Sequence, residues 1–298
     1  MPISITPLRE QFAGEVNGID CTRGLSETEI GTIQSGMDRY AVLVFHDQPL
    51  SDAQQLAFTL NFGEIELGFG RSSSIHLRTA KEVRTLGQGL ADFSNIDPAG
   101  QPLDPTSRAY MFKLADRLWH SDSSFKAIPA GWSLLSGRAI PSWGGETEFA
   151  DMRAAYDALD PRTKRQVKQL VCRHSLIYSR EKTGLPELTD AERDDFRPVR
   201  QRLVRIHPRT ARKSIFLSAH AGFIEGMSSP DGRMLLMDLT ECATQPRFVY
   251  RHRWRVGDFV IWDNAATMHR GRPFDHTEPR DIRQTRIGGS AMTIVQET

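Results

Sequence analysis

The sequence predicts an α+β fold in a single domain, in which helices alternate with short strands. Three observations indicate it: capping signatures that begin helices, apolar runs of strand length, and enough apolar residues for one sizeable core. The chain has 298 residues, of which 39% are apolar and 25% charged, and its net charge is +1. These values are typical of an ordinary soluble enzyme, and they indicate neither a nucleic-acid surface nor a membrane surface.

The N-terminal part begins with a helix, a strand and a second helix. Ser26-Glu27-Thr28-Glu29 is a capping-box signature, and we expect its helix to end near Tyr40. Residues 41–45 form an apolar run that is typical of a buried strand. Ser51 then begins a helix over residues 52–61.

The segment from residue 64 to about residue 106 is rich in Gly, Ser, Asp and Pro and shows no sustained period. This composition predicts a long excursion with short strands rather than a linker between domains. Long excursions of this kind are usually functional lids or disordered. Composition leaves these two alternatives open, and we expect the segment to be mobile.

Helices and strands alternate again further along the chain. Asp151 is expected to cap one helix, and Asp160-Pro161 begins the next, with Asp as the cap and Pro at the first helical position. Ser229-Pro230 begins a further helix in the same manner, with Ser229 as the cap, and we expect this helix to end at about Thr244. Residues 248–255 alternate in the manner of a half-buried strand, whose arginine face we assign to the surface or to a subunit contact.

The cysteines and the N-terminus indicate a cellular compartment. Cys21, Cys172 and Cys242 are odd in number and lack metal-ligand spacing, which favours reduced thiols. The N-terminus has neither a basic start nor an apolar signal region, and no run reaches membrane-spanning length. We therefore expect a cytoplasmic protein, and we expect it to be a homo-oligomer.

His120 and Asp122, with His269 far downstream, are the candidate metal ligands. Residues i and i+2 of an extended strand point to the same face, so His120 and Asp122 can bind one ion together. The apolar run 259–262 predicts a strand whose following turn delivers the third. Two imidazoles and one carboxylate form the facial triad of non-haem Fe(II) oxygenases. His276-Thr277-Glu278 also has a histidine two residues before an acidic residue, but no histidine follows it to complete a triad.

Arg280 stands eleven residues after His269 and offers a fixed cation for the far carboxylate of a bound 2-oxoglutarate. If Arg280 points inward on a strand, alternate residues must share its face. The same-face residues are Ile282, Gln284 and Arg286, and those that point away are Asp281, Arg283 and Thr285.

Together with further motifs, these residues resemble the TauD/TfdA family of Fe(II)/2-oxoglutarate dioxygenases. The matching motifs are Gly144-Gly145-Glu146-Thr147-Glu148-Phe149-Ala150-Asp151-Met152, His207-Pro208-Arg209-Thr210, Tyr250-Arg251-His252-Arg253-Trp254-Arg255-Val256-Gly257-Asp258 and Trp262-Asp263-Asn264. The resemblance implies a double-stranded β-helix (jelly-roll) core flanked by helices. It also implies Fe(II), the cosubstrate 2-oxoglutarate and O2, and a lid that covers the substrate.

The resemblance assigns roles to individual residues as well. Arg280 occupies the position that pairs with the C5 carboxylate of 2-oxoglutarate, and Thr147 that of a threonine which hydrogen-bonds the same molecule. Several members carry a substrate-binding arginine four residues after the first, where this chain has Gln284, and Arg286 follows two residues later. Either Arg286 replaces that arginine, or it reinforces the 2-oxoglutarate clamp.

The expected reaction hydroxylates a small organic anion, an aryloxyalkanoate with ether cleavage, and releases succinate and CO2. An alkylsulfonate or alkyl sulfate oxygenase is the alternative within the family, and a catalytically silent metal-binding protein is the alternative outside enzymes. The candidates for an apolar substrate pocket are Phe112, Leu118, Phe125, Phe223 and Met227. The candidates for contact with an anionic head group are Arg71, Lys113, Arg117 and Tyr178.

Overall fold

The apolar runs of the sequence become central strands of a large sheet. The computed structural model describes residues 2–67, 82, 84, 86–185 and 188–296. The strands are β1 (Ser4–Pro7), β2 (Gly14–Asn17), β3 (Val42–Phe45), β4 (Ala91–Asp92), β5 (Trp132–Ala139), β6 (Thr147–Asp151), β7 (Val171–His174), β8 (Val199–Arg202), β9 (Val204–Ile206), β10 (Lys213–Ile215), β11 (Ala221–Ile224), β12 (Val249–His252), β13 (Phe259–Asp263), β14 (Thr267–Gly271) and β15 (Asp281–Arg286).

Helices join and flank these strands, which confirms the predicted α+β class. The α-helices are α1 (Glu27–Tyr40), α2 (Asp52–Leu60), α3 (Arg108–Leu114), α4 (Met152–Asp157), α5 (Pro161–Val167), α6 (Leu176–Lys182), α7 (Asp190–Asp195) and α8 (Ser229–Ala243). Short 3-10 helices cover Ala115–Arg117, Pro246–Phe248 and Thr293–Val295. In the described part of the chain, no helix has both the length and the apolar character to cross a membrane.

Two sheets carry the architecture that positions the site. The large sheet has seven strands in the order β1-β2-β3-β13-β5-β15-β4, and a smaller one has the order β12-β6-β14. Strands β11-β7-β8 and β10-β9 form two further sheets. Neighbours β3, β13, β5 and β15 are antiparallel, whereas β2 and β3 are parallel.

The large and the small sheet share one apolar core. Leu135, Val260, Trp262 and Ile282 of the large sheet are buried with Phe149 of β6. The ring centroids of Phe149 and Trp262 are 5.4 Å apart. Burial of such a side chain contributes about 1.5–3 kcal/mol, so the contact between the two sheets is a main source of stability.

Most predicted helix starts are confirmed. Ser26 and Ser51 each form a complete capping box, and Asp151 and Asp160 cap α4 and α5. One cap was placed a residue too late, because Ser228 caps α8 by accepting a hydrogen bond from the backbone of Asp231. Sequence alone offered two adjacent serines, and only the backbone geometry selects between them.

The predicted strand over residues 248–255 is shorter in the structure. Phe248 ends a 3-10 helix, and the strand itself covers Val249–His252. Its arginine face is not purely solvated, since Arg251 donates to the buried carboxylate of Glu148 at 2.5 Å.

Part of the predicted excursion over residues 64–106 is ordered against the large sheet. Ile65 forms an isolated bridge with Ile287, and β4 pairs with β15. Residues 68–81, 83 and 85 lie outside the described residues, so the lid stays a prediction.

Candidate metal centre and adjoining cavity

A backbone bridge brings the two predicted histidine ligands together. His120 N donates to His269 O at 2.9 Å, and His269 N donates to His120 O at 2.8 Å. His269 lies on β14, whereas Asp122 lies in the turn that follows His120. The prediction that His120 and Asp122 share a strand was therefore wrong, although the turn still directs both side chains to one point.

The ligand atoms of His120, Asp122 and His269 all lie within 4.8 Å of one another. Each histidine Nε2 is 3.8 Å from Asp122 Oδ1, and all three residues are buried. His120 Nδ1 is 2.7 Å from the Leu118 carbonyl. Because a carbonyl only accepts, Nδ1 must carry the proton, which leaves the Nε2 lone pair directed at the shared point.

The protonation states suit metal binding. Burial, aided by the neighbouring His120, lowers the pKa of His269 to about 3 even though Asp122 raises it. Burial raises the pKa of Asp122, but electrostatic interactions with His269, Arg286 and His120, together with the Ser133 hydrogen bond, lower it by more, so that the net pKa is lowered. A neutral imidazole and an ionised carboxylate are the forms that bind a metal ion.

Buried hydrogen bonds fix the orientation of Asp122. Its Oδ2 accepts from Ser133 Oγ at 2.6 Å and from Gln284 Nε2 at 2.9 Å, which leaves Oδ1 towards the histidines. Asn264 supports both partners, since its Oδ1 accepts from Asp122 N at 3.1 Å and its Nδ2 donates to Ser133 Oγ at 2.8 Å. Sequence reasoning missed Ser133, because a buried serine on a strand gives no signal of its own.

We expect Ser133→Ala to lower metal affinity by roughly 10–100-fold, the usual effect of removing a group that orients a ligand. The measurement is calorimetric titration with Mn(II). Ser136→Ala is the matched control, because Ser136 is a buried serine of the same strand that donates to Gln55. Equal affinities of the two variants would show that the Ser133 hydrogen bond does not support the metal centre.

A cavity of about 820 Å³, measured out to its open mouth, adjoins the triad. Apolar side chains form much of its wall, and cations stand among them. The described residues that line it are Phe93, Ser94, Asn95, Leu103, Tyr110, Lys113, Leu114, Asp116, Arg117, His120, Leu135, Thr147, Trp262, His269, Gly271, Arg272, Phe274, Arg280, Ile282 and Gln284.

Arg280 is a partly buried cation of this cavity without a carboxylate at ion-pair distance in the described part of the chain. Its guanidinium donates to the carbonyls of Phe93 at 3.2 Å and Gly145 at 3.4 Å, and its buried Nε has no partner among the described residues. Burial lowers the pKa of Arg280 to about 10, against the opposing charge of Asp116. A buried cation left in this state is costly, so the site is suited to an anionic ligand.

Thr147 lines the same cavity. Its Oγ1 accepts from Trp254 Nε1 at 3.0 Å, which leaves the hydroxyl proton available to donate.

The alternation predicted for β15 is confirmed for Ile282 and Gln284, since both line the cavity with Arg280.

The outward residues of β15 are also as predicted. Arg283 binds Asp281 at 2.9 Å and Asp52 at 3.3 Å, and Thr285 Oγ1 lies 2.7 Å from Thr59 Oγ1. These contacts are on the α2 side of the sheet, away from the triad.

Arg286 is not among the described residues that line the cavity, although it pairs across β15 and β5 with Ser133, which donates to Asp122. Its Nε is 3.7 Å from Glu66 Oε1, and its charge contributes to the lowered pKa values of Asp122 and His269. Whether Arg286 binds the substrate or 2-oxoglutarate stays a prediction.

The substrate candidates from the sequence divide into two groups. Lys113 and Arg117 line the cavity, and Arg117 lies over the Phe274 ring at 5.9 Å. The others do not appear in the described wall of this cavity, and they are Phe112, Leu118, Phe125, Tyr178, Phe223 and Met227.

Their positions explain the difference. Phe112 packs beneath Arg180, with the guanidinium 4.2 Å from the ring centroid, and Phe125 packs edge-on to His220 at 4.9 Å. Phe223 is 39% exposed, and Met227 packs against an apolar core. Arg71 lies outside the described residues.

Comparison with known proteins gives consistent matches over nearly the whole chain. The family model described as taurine catabolism dioxygenase TauD, TfdA family matches residues 4–286. An alpha-ketoglutarate-dependent 2,4-dichlorophenoxyacetate dioxygenase of Burkholderia sp. (strain RASC) is 42% identical over 95% of this chain and 94% of its own length. An (S)-phenoxypropionate/alpha-ketoglutarate-dioxygenase of Sphingobium herbicidovorans is 36% identical over 96% of this chain and 94% of its own length.

A solved structure is similar in fold as well as in sequence. The crystal structure of AAD-2 in complex with Mn(II) and N-oxalylglycine superimposes with a TM-score of 0.90 at 50% identity. The match covers 99% of this chain and 100% of AAD-2.

Proposed function

The chain belongs to the taurine catabolism dioxygenase TauD, TfdA family of Fe(II)/2-oxoglutarate-dependent dioxygenases, and from that premise we propose that it oxidises an aryloxyalkanoate and releases succinate and CO2. The observation that carries the proposal is the His120, Asp122 and His269 cluster beside a cavity lined by Arg280, whose guanidinium has no carboxylate at ion-pair distance among the described residues. A silent metal-binding protein would need no such cation.

The donor set fits Fe(II), since two neutral imidazoles and one carboxylate leave the opposite face of an octahedral ion open. When bound, Fe(II) couples reduction of O2 and decarboxylation of 2-oxoglutarate to hydroxylation of the substrate. The side chains hold and orient the participants: Arg280 pairs with the C5 carboxylate of 2-oxoglutarate, and Thr147 donates to it. The apolar wall of Leu135, Trp262 and Ile282 excludes water from this end of the cavity.

The substrate class follows from chemistry and from the relatives. The described wall of the cavity carries Lys113, Arg117 and Arg272 besides Arg280, with Asp116 as its acidic residue, which suits organic anions. Hydroxylation of a carbon that bears an ether oxygen gives a hemiacetal, which collapses to a phenol and a carbonyl product. Relatives at 42% and 36% identity are named for aryloxy acids, so we favour these over alkylsulfonates and alkyl sulfates.

The test is oxygen consumption and succinate release with Fe(II) and 2-oxoglutarate, measured against a panel of anions. We expect 2,4-dichlorophenoxyacetate to stimulate both and to release the phenol. Stimulation by an alkylsulfonate or alkyl sulfate alone would reject the aryloxyalkanoate and retain the oxygenase. No stimulation by any anion, with intact metal binding, would reject the proposal.

Arg286 is proposed to bind the anionic group of the substrate. We expect Arg286→Ala to reduce turnover of the aryloxy acid by roughly tenfold or more, because a buried charged partner is lost, and to leave slow uncoupled 2-oxoglutarate decarboxylation nearly intact. Single-turnover succinate assays with and without substrate distinguish substrate turnover from uncoupled decarboxylation. Arg283→Ala is the control, as Arg283 lies on the opposite face of β15. Loss of both activities in Arg286→Ala would instead place Arg286 in the 2-oxoglutarate site.

We also propose that the chain forms one domain with a double-stranded β-helix core, that it is cytoplasmic, and that it is a homo-oligomer. The packing of the seven-stranded sheet against β12-β6-β14 supports the core arrangement. The unpaired state of Cys21, Cys172 and Cys242 is consistent with a reducing compartment. Light scattering during size-exclusion chromatography tests the oligomer, and a single cooperative unfolding transition supports one domain.

A further inference from the structure

Glu66 is an acidic residue that the structure places between the metal-binding turn and β15. Its Oε1 accepts from Ser123 Oγ at 2.7 Å and from Lys126 Nζ at 2.6 Å, and it lies 3.7 Å from Arg286 Nε. Glu66 N also donates to Arg286 O at 2.7 Å. One residue therefore joins the turn that carries Asp122 to the strand that carries Arg286.

The Glu66 and Arg286 side chains are close but incompletely paired. They are only 10% and 11% exposed, and their separation of 3.7 Å is an ion pair without a hydrogen bond. Glu66 Oε2 is buried without a partner, and no hydrogen bond from the Arg286 guanidinium is present within the described residues. A cation with open hydrogen-bond donors at the edge of a site favours a ligand that brings its own acceptors.

This pair faces the reacting centre. Gln284, on the same face of β15 as Arg286, donates to Asp122 Oδ2 at 2.9 Å. Arg286 is also the cross-strand partner of Ser133 on β5, whose hydroxyl donates to Asp122. An anion bound by Arg286 would therefore lie beside the triad, with the carboxylate of Glu66 as a near neighbour.

We propose that Glu66 is a specificity-determining residue that limits the charge of the anion bound by Arg286, so that the site accepts a monoanionic carboxylate and rejects a compact dianion. The inference rests on the proposed function. In a poorly solvated site, Glu66 repels the second negative charge of a dianion. This repulsion weakens the binding of dianions relative to monoanions. Removing the negative charge of Glu66 makes the site more positive by one charge. This change does not depend on the other partners of Lys126.

The experiment compares two head groups on one ring. Calorimetry on the protein loaded with Mn(II) and N-oxalylglycine gives the Kd of 2,4-dichlorophenoxyacetate and of (2,4-dichlorophenoxy)methylphosphonate, at a pH where the phosphonate is a dianion. We expect Glu66→Gln, which keeps an acceptor for Ser123, to shift the ratio of the two Kd values towards the dianion by at least about tenfold. Glu64→Gln makes the same charge change at an exposed position and is expected to leave the ratio unchanged.

An unchanged ratio in folded Glu66→Gln overturns the inference. If that variant does not fold, the neutral Glu66→Met replaces it under the same criterion. If the wild type binds neither aryloxy compound, the proposed substrate class is rejected, and acetate and methylphosphonate then carry the same comparison without the ring. A shift between those two small anions supports the role of Glu66, and no shift or no binding overturns it.

Discussion

Asp122→Ala is expected to abolish succinate formation while the chain stays folded. The variant loses one of three metal ligands, so its metal affinity should fall by more than the roughly 10–100-fold typical of groups that only orient a ligand. Ser133 and Gln284 would lose their shared acceptor, Asp122 Oδ2, at a cost of about 1–3 kcal/mol in stability. Succinate release, Mn(II) titration and thermal unfolding together measure these effects.

The matched control for this variant is Glu278→Ala. His276-Thr277-Glu278 resembles the ligand pair in sequence, but Glu278 binds the backbone and hydroxyl of Ser142 at an exposed position. Its removal is expected to leave metal affinity and turnover unchanged. Full turnover by Asp122→Ala at low iron concentration would contradict the assignment of the metal centre.

Arg280→Ala is expected to raise the KM for 2-oxoglutarate strongly. Deleting one partner of a desolvated charge pair costs roughly 2–5 kcal/mol, which corresponds to roughly 30-fold to several thousandfold in KM. A large effect is expected because the Arg280 guanidinium donates to two carbonyls and, in the described chain, has no carboxylate at ion-pair distance. Steady-state kinetics with varied 2-oxoglutarate, together with calorimetry of N-oxalylglycine, measure the loss.

Two variants calibrate that result. Arg280→Lys keeps the charge but not the planar fork, so its KM should lie between those of the wild type and the alanine variant. Arg272 lines the same cavity but lies 3.9 Å from Glu148, and Arg272→Ala is expected to change KM far less. An unchanged KM in Arg280→Ala would transfer the role to Arg286.

The features that sequence reasoning identified correctly are those set by local chemistry. The capping boxes at Ser26 and Ser51 join atoms three residues apart, so both partners are visible in one short motif. The alternation of Arg280, Ile282 and Gln284 towards the cavity follows from the two-residue period of any strand. The choice of His120, Asp122 and His269 as candidate ligands belongs to the same group, because few side chains bind iron and the structure brings these three together.

Local reasoning failed where neighbouring positions were chemically equivalent or the backbone left regular geometry. Ser228 and Ser229 are both suitable caps, and only the course of the chain selected Ser228. Asp122 meets the histidines from a turn rather than from a strand, which no alternation pattern predicts.

By itself, the sequence determined most of the helix caps, the strand faces, the candidate ligand set and the family that this set resembles. Only the tertiary structure decided what surrounds those ligands. The Gln284 bond to Asp122 joins positions 162 residues apart, and the Ser133 bond to Asn264 joins positions 131 apart. Such partners meet only after the two sheets have packed, because burial and shape complementarity across the whole core set their positions, and no short segment encodes that packing.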